Sequence, residues 1–486
     1  MQVGKSATKV VIIIINQHIK AMKKHYFRQM ALGLAMILAA CSASAQTHYT
    51  STIVNQTALS THEGHPRPIR NWNSRYSVGV VGDTSAIGLS LIDHSTFFAP
   101  STGLAPVFTE KHINAWAHFT DTNTTITDIY VADDYAFFCG YVQETGVGTQ
   151  AFVGYVYLPD MVSGTANMWC GKIDNIERLK RLVAYKTEDG YRVYAIGENI
   201  IHPAGGATYT AEAIVEIDDI FSSPIQYQIA WLYANSFFKK EYLYDVLLTN
   251  DYVVFVGHNY SPACYDMLHF RKIRRALPFP SPEIDNVYYL PAASEANSRV
   301  ASTALNENTF AVSYVYVDPS TTNHFTRLRL IDLNTMANVN AQQMARPDKM
   351  DPIMIDYLPD KDLIEMLQPY NNPYDFLRWE PHNTQPYQSF VLTPIKGDDY
   401  QYVRCLAGSM FIASSGPYLY LQDPSLSLPA SDPVCPSYFK TNVEPIPELP
   451  IDVIYSPIGT SIYNSFISTT DSAISSTLLK ICYSEQ

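Results

Sequence analysis

The feature that most constrains the fold is internal repetition. The stretch Asp128-Ile129-Tyr130-Val131-Ala132-Asp133-Asp134-Tyr135-Ala136-Phe137-Phe138-Cys139-Gly140 is matched by Asp245-Val246-Leu247-Leu248-Thr249-Asn250-Asp251-Tyr252-Val253-Val254-Phe255-Val256-Gly257. The Asp, the Asp-Tyr pair, the Phe and the Gly fall at identical offsets. Between them, Leu182–Tyr185, a Thr187–Gly190 turn and Tyr191–Gly197 have the same form. Looser copies surround Asn306-Glu307-Asn308, Asp360-Lys361-Asp362 and Ala407-Gly408, and a last one begins at Asp452. A repeat that cannot bury its apolar face alone must stack on its neighbours, so the repeat decides the architecture before any single residue does.

Each unit reads as an apolar strand, a tight polar turn, a second apolar strand, and two more strands such as Ala151–Tyr157 and Asn167–Lys172. Segments such as Phe310–Val317 are rich in aromatic and β-branched residues, which suit a pleated surface. Only 16% of the 486 residues are charged, against 35 Tyr and 21 Phe, which argues for strands over solvated helices. Residues 334–346 are the one stretch read as a short helix or an excursion between strands. Starts recur at roughly 50–60 residues, the span of a four-stranded propeller blade with its loops. The chain therefore resembles β-propellers in general. It lacks the Trp-Asp ending of WD40 blades, a repeated Gly-Gly of kelch blades and the Ser-x-Asp-x-Gly-x-Thr-Trp box of sialidases. The expected fold is all-β, a propeller of seven four-stranded blades, with six or eight blades or a β-sandwich array as alternatives. Residues 127–486 would form the propeller. Its C-terminal strands, Asp452–Ser456, Ser461–Ile467 and Ser476–Tyr483, would make a partial last blade. Residues 46–126 would complete or flank that blade, because an open edge invites aggregation.

Residues 1–45 read as a leader and signal peptide. They carry Lys5, Lys9, Lys20, Lys23, Lys24 and Arg28 and no acid. A basic segment after Met22, an apolar stretch from Met30 to Ala40 and small residues to Ala45 follow the order of a bacterial export signal, with Met22 the expected start. Leu38-Ala39-Ala40-Cys41 resembles the lipoprotein box, which implies lipidation of Cys41, and Ala43-Ser44-Ala45 before Gln46 offers an ordinary cleavage site. The style of this signal resembles exported proteins of the Bacteroidetes. The expected location is the periplasm or the outer membrane, lipid-anchored if Cys41 is processed, with the cell surface a further option. Without the six leader cations, the 33 Lys and Arg against 46 Asp and Glu become a net charge of about −19. That excludes a basic nucleic-acid binder. Six further cysteines are widely spaced, and Cys405 with Cys435 is the pair most worth testing as a disulfide.

Catalytic motifs are missing. There is no G-x-S-x-G elbow, P-loop or Gly-rich dinucleotide turn. His62-Glu63-Gly64-His65 has the wrong spacing for a zinc helix. Asp133-Asp134, Asp218-Asp219 and Asp398-Asp399 read as turn residues, and Asp360 with Asp362 lacks the other ligands of a calcium loop. The basic run Arg271-Lys272-Ile273-Arg274-Arg275 reads as a charged edge strand, or else as a site for anionic glycan. No metal and no cofactor are expected. Turns joining the second and third strands are richer, and they bring His202, His258, Tyr260, Tyr370 and Tyr374 to one face. Aromatic rings beside amides and imidazoles suit a sugar or peptide surface. The functional expectation is a non-enzymatic binding or scaffold protein of the envelope, with a glycan or an envelope protein as partner. The alternatives are a glycan hydrolase or lyase with its site at the central channel, and a structural subunit of an envelope complex.

Overall fold

In the computed structural model the described residues are the strands and most turns between residues 48 and 484. Residues 1–47, 57–68, 94–107, 115–121, 202–208, 233–239, 423–436 and 466–475, with shorter stretches elsewhere, lie outside the description. Tyr49–Cys482 form one compact unit, and the terminal residues of the second unit lie almost wholly outside the described set.

The described strands form seven antiparallel sheets in a propeller arrangement. Sheet I comprises Ile69–Asn71, Tyr76–Gly82, Ala86–Asp93 and Phe108–Asn114. Sheet II comprises Thr122–Ala132, Tyr135–Glu144, Gly148–Tyr157 and Met168–Ile173. Sheet III begins with Arg178–Lys186, Tyr191–Ile201, Tyr209–Ile217 and Ile225–Leu232. Sheet IV begins with Lys240–Leu248, Tyr252–Ser261, Cys264–Arg274 and Asn286–Ser294. Sheet V begins with Val300–Ala304, Thr309–Val317, His324–Asp332 and Ala337–Arg346, and sheet VI with Met354–Leu358, Leu363–Pro369, Tyr374–Trp379 and Tyr387–Leu392. Sheet VII takes Tyr400–Cys405, Phe411–Ser415 and Tyr418–Gln422 from late in the chain and His48–Gln56 from its start. The first strand of each sheet neighbours the first strand of the next, from sheet I round to sheet VII and back to sheet I. Those seven strands are therefore the inner ones.

Several expectations need correction. Five of the sheets carry a fifth strand rather than four. The C-terminal strands do not make a partial blade. Ser437–Thr441 lies on the outer edge of sheet VI, Glu444–Pro445 on V, Asp452–Tyr455 on IV and Gly459–Ser465 on III. Ser476–Ser484 lies outside His48–Gln56 on sheet VII. The chain thus returns along sheet edges, covering unpaired backbone groups that would otherwise template association. Pro445 is tolerated there because a proline, lacking an N–H, suits an edge position. Within residues 46–126, His48–Gln56 is the fourth strand of sheet VII, and Ile69–Asn71 to Phe108–Asn114 make up all of sheet I. Residues 337–346 are the fourth strand of sheet V, paired from His324 to Asp332, and the helix reading fails there. Alternating Asn338, Asn340 and Gln342 already suited a strand.

The core is divided into walls between adjacent sheets. Neighbouring residues Phe137 and Phe138 are both fully buried but belong to different walls, Phe138 with Val78 and Leu89 of sheet I, Phe137 with Val193 and Val215 of sheet III. Successive strand residues point to opposite faces, and both faces are covered, so the strands read as continuous apolar runs. The only described α-helix is Leu158–Ser163, which ends on Gly164 in the left-handed conformation.

The repeated residues now acquire reasons. Asp133, Glu307 and Asp362 have φ of 49°, 60° and 49°, and each sits in the turn from first to second strand. Aspartate tolerates that left-handed geometry better than most residues. In sheets II, IV and V a carbonyl of this turn accepts an N–H from just beyond the third strand. Leu158 donates to Asp134, Arg275 to Asp251 and Leu333 to Asn308. The repeated glycines stand opposite a bulge in the inner strand. Register slips between Ile126 and Asp128, Leu179 and Arg181, and Leu243 and Asp245. A Cβ on Gly140 would come 1.9 Å from the Thr125 carbonyl oxygen, and one on Gly257 would come 2.3 Å from that of Tyr242.

Candidate functional site in the inner strands

The bulges place charged residues where sheets meet at the centre. A bulge inserts one residue and re-aims the side chains around it. Here it presents Asp128 on sheet II, Arg181 on III and Asp245 on IV, flanked by Arg70 on I, Ser302 on V and Asp356 on VI.

These groups bind one another across sheet boundaries. Asp128 is 1% exposed, yet its carboxylate is well served. Its Oδ1 lies 3.2 Å from Arg70 Nη2 and 3.8 Å from Arg181 Nη1. Its Oδ2 accepts the Leu182 backbone N–H at 3.2 Å. Arg70 Nε also donates to the Ile129 carbonyl at 2.6 Å, and Arg181 Nη1 to the Thr127 carbonyl at 3.3 Å. Thr127 Oγ1, the extra residue of the bulge, donates to the Leu179 carbonyl at 2.7 Å. One strand step thus joins sheets I, II and III.

Asp245 continues the arrangement. Ser302 Oγ donates to its Oδ2 at 2.9 Å, and the Val246 N–H to its Oδ1 at 3.0 Å. Burial raises its carboxyl to about 6, with the negative charge of Asp128 adding and Arg181, Ser302 and Arg70 opposing. In sheet VI, Asp356 Oδ1 accepts the Tyr357 N–H at 3.1 Å. Further out, in the wall between sheets III and IV, Lys180 Nζ lies 2.5 Å from Glu212 Oε2 and 3.4 Å from Glu198 Oε2. Burial outweighs the lysine and raises Glu212 to about 7. Glu216 is likewise raised to about 7 by burial, opposed by Arg192.

Chemically, this is a polar belt whose donors and acceptors mostly answer each other. The Asp128 oxygens are occupied by two guanidinium groups and a backbone N–H, so they are engaged within the fold. Among the described residues no cluster of three or more His, Cys, Asp or Glu could hold a metal ion.

Of the residues expected to form a binding face, His258, Tyr260 and Tyr374 fall within described strands. Cys41, His202 and Tyr370 lie outside the described residues, as do the His62–His65 segment and Cys435. His258 is 2% exposed and sits within the second strand of sheet IV, paired with Tyr242 and Leu268. The reading of His258–Tyr265 as a long loop is corrected: strands run to Ser261 and resume at Cys264, so Tyr260 is a strand residue opposite Lys240. Tyr374 opens the third strand of sheet VI, opposite Pro369. Cys139 and Cys170 are buried free thiols. The basic run is no edge strand. It ends the third strand of sheet IV, where Arg271 Nη1 donates to the Ile284 carbonyl at 2.8 Å and Lys272 Nζ donates to that of Leu333. Lys272 also packs over the rings of Tyr252 and Tyr288. Asp133 accepts the Tyr191 hydroxyl at 2.5 Å, which makes it a clamp between turns of adjacent sheets.

The inner belt was not singled out from sequence. Its signal in the sequence is the repeated Asp at 128 and 245, which by itself marks only the register of the repeat.

The chain is similar to a solved structure described as "Structure of Dos1 propeller", with a TM-score of 0.38 and 10% identity, covering 76% of this chain and 94% of that one. No protein-family model and no curated protein matches the sequence.

Proposed function

We propose that this chain is an exported, non-enzymatic scaffold of the cell envelope, a ring of seven blades that engages a glycan or an envelope protein through one face. The observation that carries this reading is the inner belt. Its ionisable residues are spent on joining neighbouring sheets, with Asp128 held by Arg70, Arg181 and Leu182. With these groups committed to contacts between sheets, the loops are left as the place for recognition, and loops on a stable scaffold are where binding concentrates. Export rests on the basic–apolar–small order of residues 22–45, with Cys41 as the lipid-bearing residue.

The recognition face is the one carrying the turns between second and third strands. The sequence pattern assigns Tyr260, Tyr370, Tyr374 and His202 to it. His258 supports this face from beneath, since it is buried. The test is a glycan and envelope-protein binding screen of the wild type and the triple variant Tyr260→Ala, Tyr370→Ala, Tyr374→Ala. Binding by the wild type that the triple variant loses supports the reading, and binding that survives all three ends it. A second reading, a glycan hydrolase or lyase acting at the centre, draws on one observation, the Asp245 carboxyl raised to about 6. Turnover of an envelope glycan that Asp245→Asn abolishes would replace the scaffold reading with that one.

A further inference from the structure

The wall between sheets IV and V holds a buried charge that no hydrogen bond or ion pair answers among the described residues. Arg329, in the third strand of sheet V, is 0% exposed. Its Nε, Nη1 and Nη2 make no hydrogen bond. A guanidinium stays protonated and presents five N–H donors, so it cannot neutralise itself to escape burial. The ring of Tyr314, 5.9 Å from Arg329 Cζ, gives a weak cation–π contact and satisfies no donor.

A second cation stands beside it. Arg327 is two residues earlier on the same strand and therefore on the same face. Its Nε donates to Gln343 Oε1 at 3.0 Å and its guanidinium lies over the Tyr316 ring, but its Nη1 has no partner. Burial lowers the Arg327 pKa, and the neighbouring Arg329 charge lowers it further, while Tyr314 and Tyr316 oppose. The face they share is defined by their cross-strand partners, with Val312 opposite Arg329 and Tyr314 opposite Arg327. Val312 and Tyr314 pack against Val254, Val256, Leu268 and Phe270 of sheet IV. Lys272, on that side of sheet IV, is already committed to the Leu333 carbonyl. Among the described residues no acidic side chain pairs with Arg327 or Arg329.

We propose that the wall between sheets IV and V binds a small oxyanion, a phosphate, sulfate or carboxylate group, through Arg329 with Arg327 as its second donor. The planar fork of an arginine matches two oxygens of such a group, and the rings of Tyr314 and Tyr316 would help to exclude water from the pair. The anion comes as a free ion or as a group on an acidic sugar.

Thermal unfolding of the full chain in matched ionic strengths of sodium chloride, phosphate, sulfate, acetate and glucuronate tests this. Sulfate and phosphate raise the Tm of many proteins by exclusion from their surfaces, so the readout is the difference between wild type and Arg329→Met. The wild type should gain an anion-dependent rise in Tm that Arg329→Met lacks. Arg329→Met in chloride should melt above the wild type, because an unanswered charge has gone. Arg329→Lys, which keeps the charge and loses the fork, should bind the effective anion at least about tenfold more weakly by calorimetric titration. A response to glucuronate alone identifies an acidic sugar as the source, and one to phosphate or sulfate a free ion. Equal responses in wild type and Arg329→Met, or no response to any of the four anions, would overturn the proposal.

Discussion

Asp128 and Arg329 are buried to the same degree and solve burial in opposite ways. Asp128 sits on an inner strand beside a bulge, and the bulge turns it toward two neighbouring sheets that supply Arg70, Arg181 and the Leu182 N–H. Arg329 sits on the third strand, well back from the centre, in a regular stretch whose facing wall is apolar. The first charge is complete within the fold, so it acts as a fastener. The second is incomplete, so it waits on a partner from outside. Burial alone does not tell a structural charge from a binding one; the local backbone and what it aims at do.

The contrast can be broken most easily at Asp128. Replacing it by Ala leaves Arg70, Arg181 and the Leu182 N–H without their acceptor, and urea unfolding should show a loss of about 3–5 kcal/mol. A loss no larger than that of an exposed control, such as Asp218→Ala, would mean the belt does not fasten the sheets. At Arg329 the sign should reverse, with Arg329→Met gaining about 1–4 kcal/mol in chloride. Gly140→Ala sharpens the account of the bulge. The added methyl meets the Thr125 backbone rather than a movable side chain, so a cost of about 1–3 kcal/mol is expected, measured in the same way.

The smallest effect is a pH dependence from the wall between sheets III and IV. Glu212 and Glu216 are raised to about 7 when folded, and Asp245 to about 6. The folded state therefore holds more protons than the unfolded state between the ordinary carboxyl range and those values. The contribution of these groups is fully present below about pH 4, and it is lost as pH rises toward 7. Tm scanned from pH 4.5 to 7.5 should fall with a steeper slope in the wild type than in Glu212→Gln. Parallel slopes would show that Glu212 titrates as it does in the unfolded chain.

The legibility of the molecule follows the same division. Asp134-Tyr135, Gly190-Tyr191 and Asp251-Tyr252 do follow first-to-second-strand turns, because a left-handed turn and a crowded bulge restrict residue type locally. The outer C-terminal strands look like a blade in sequence because strand propensity says nothing about which edge a strand joins. His258 was placed on a loop because Asn259 and Tyr260 look like turn residues, whereas the ladder with Cys264–Arg274 continues to Ser261. The basic run Arg271–Arg275 was placed on an edge because charge usually marks one. There the charges lie over Tyr252 and Tyr288 and on backbone carbonyls instead. Arg329 was visible in principle. Leu328 and Leu330 line one face and Phe325 and Ile331 the other, so a strand apolar on both sides carries two arginines inside.

The central claim, that the inner charges fasten adjacent sheets, is tested most directly by a double-mutant cycle between Arg70→Ala and Asp128→Ala in urea unfolding. The account predicts a coupling of about 1–3 kcal/mol between residues 58 positions apart in sequence and 3.2 Å apart in space. A coupling below about 0.3 kcal/mol would contradict it.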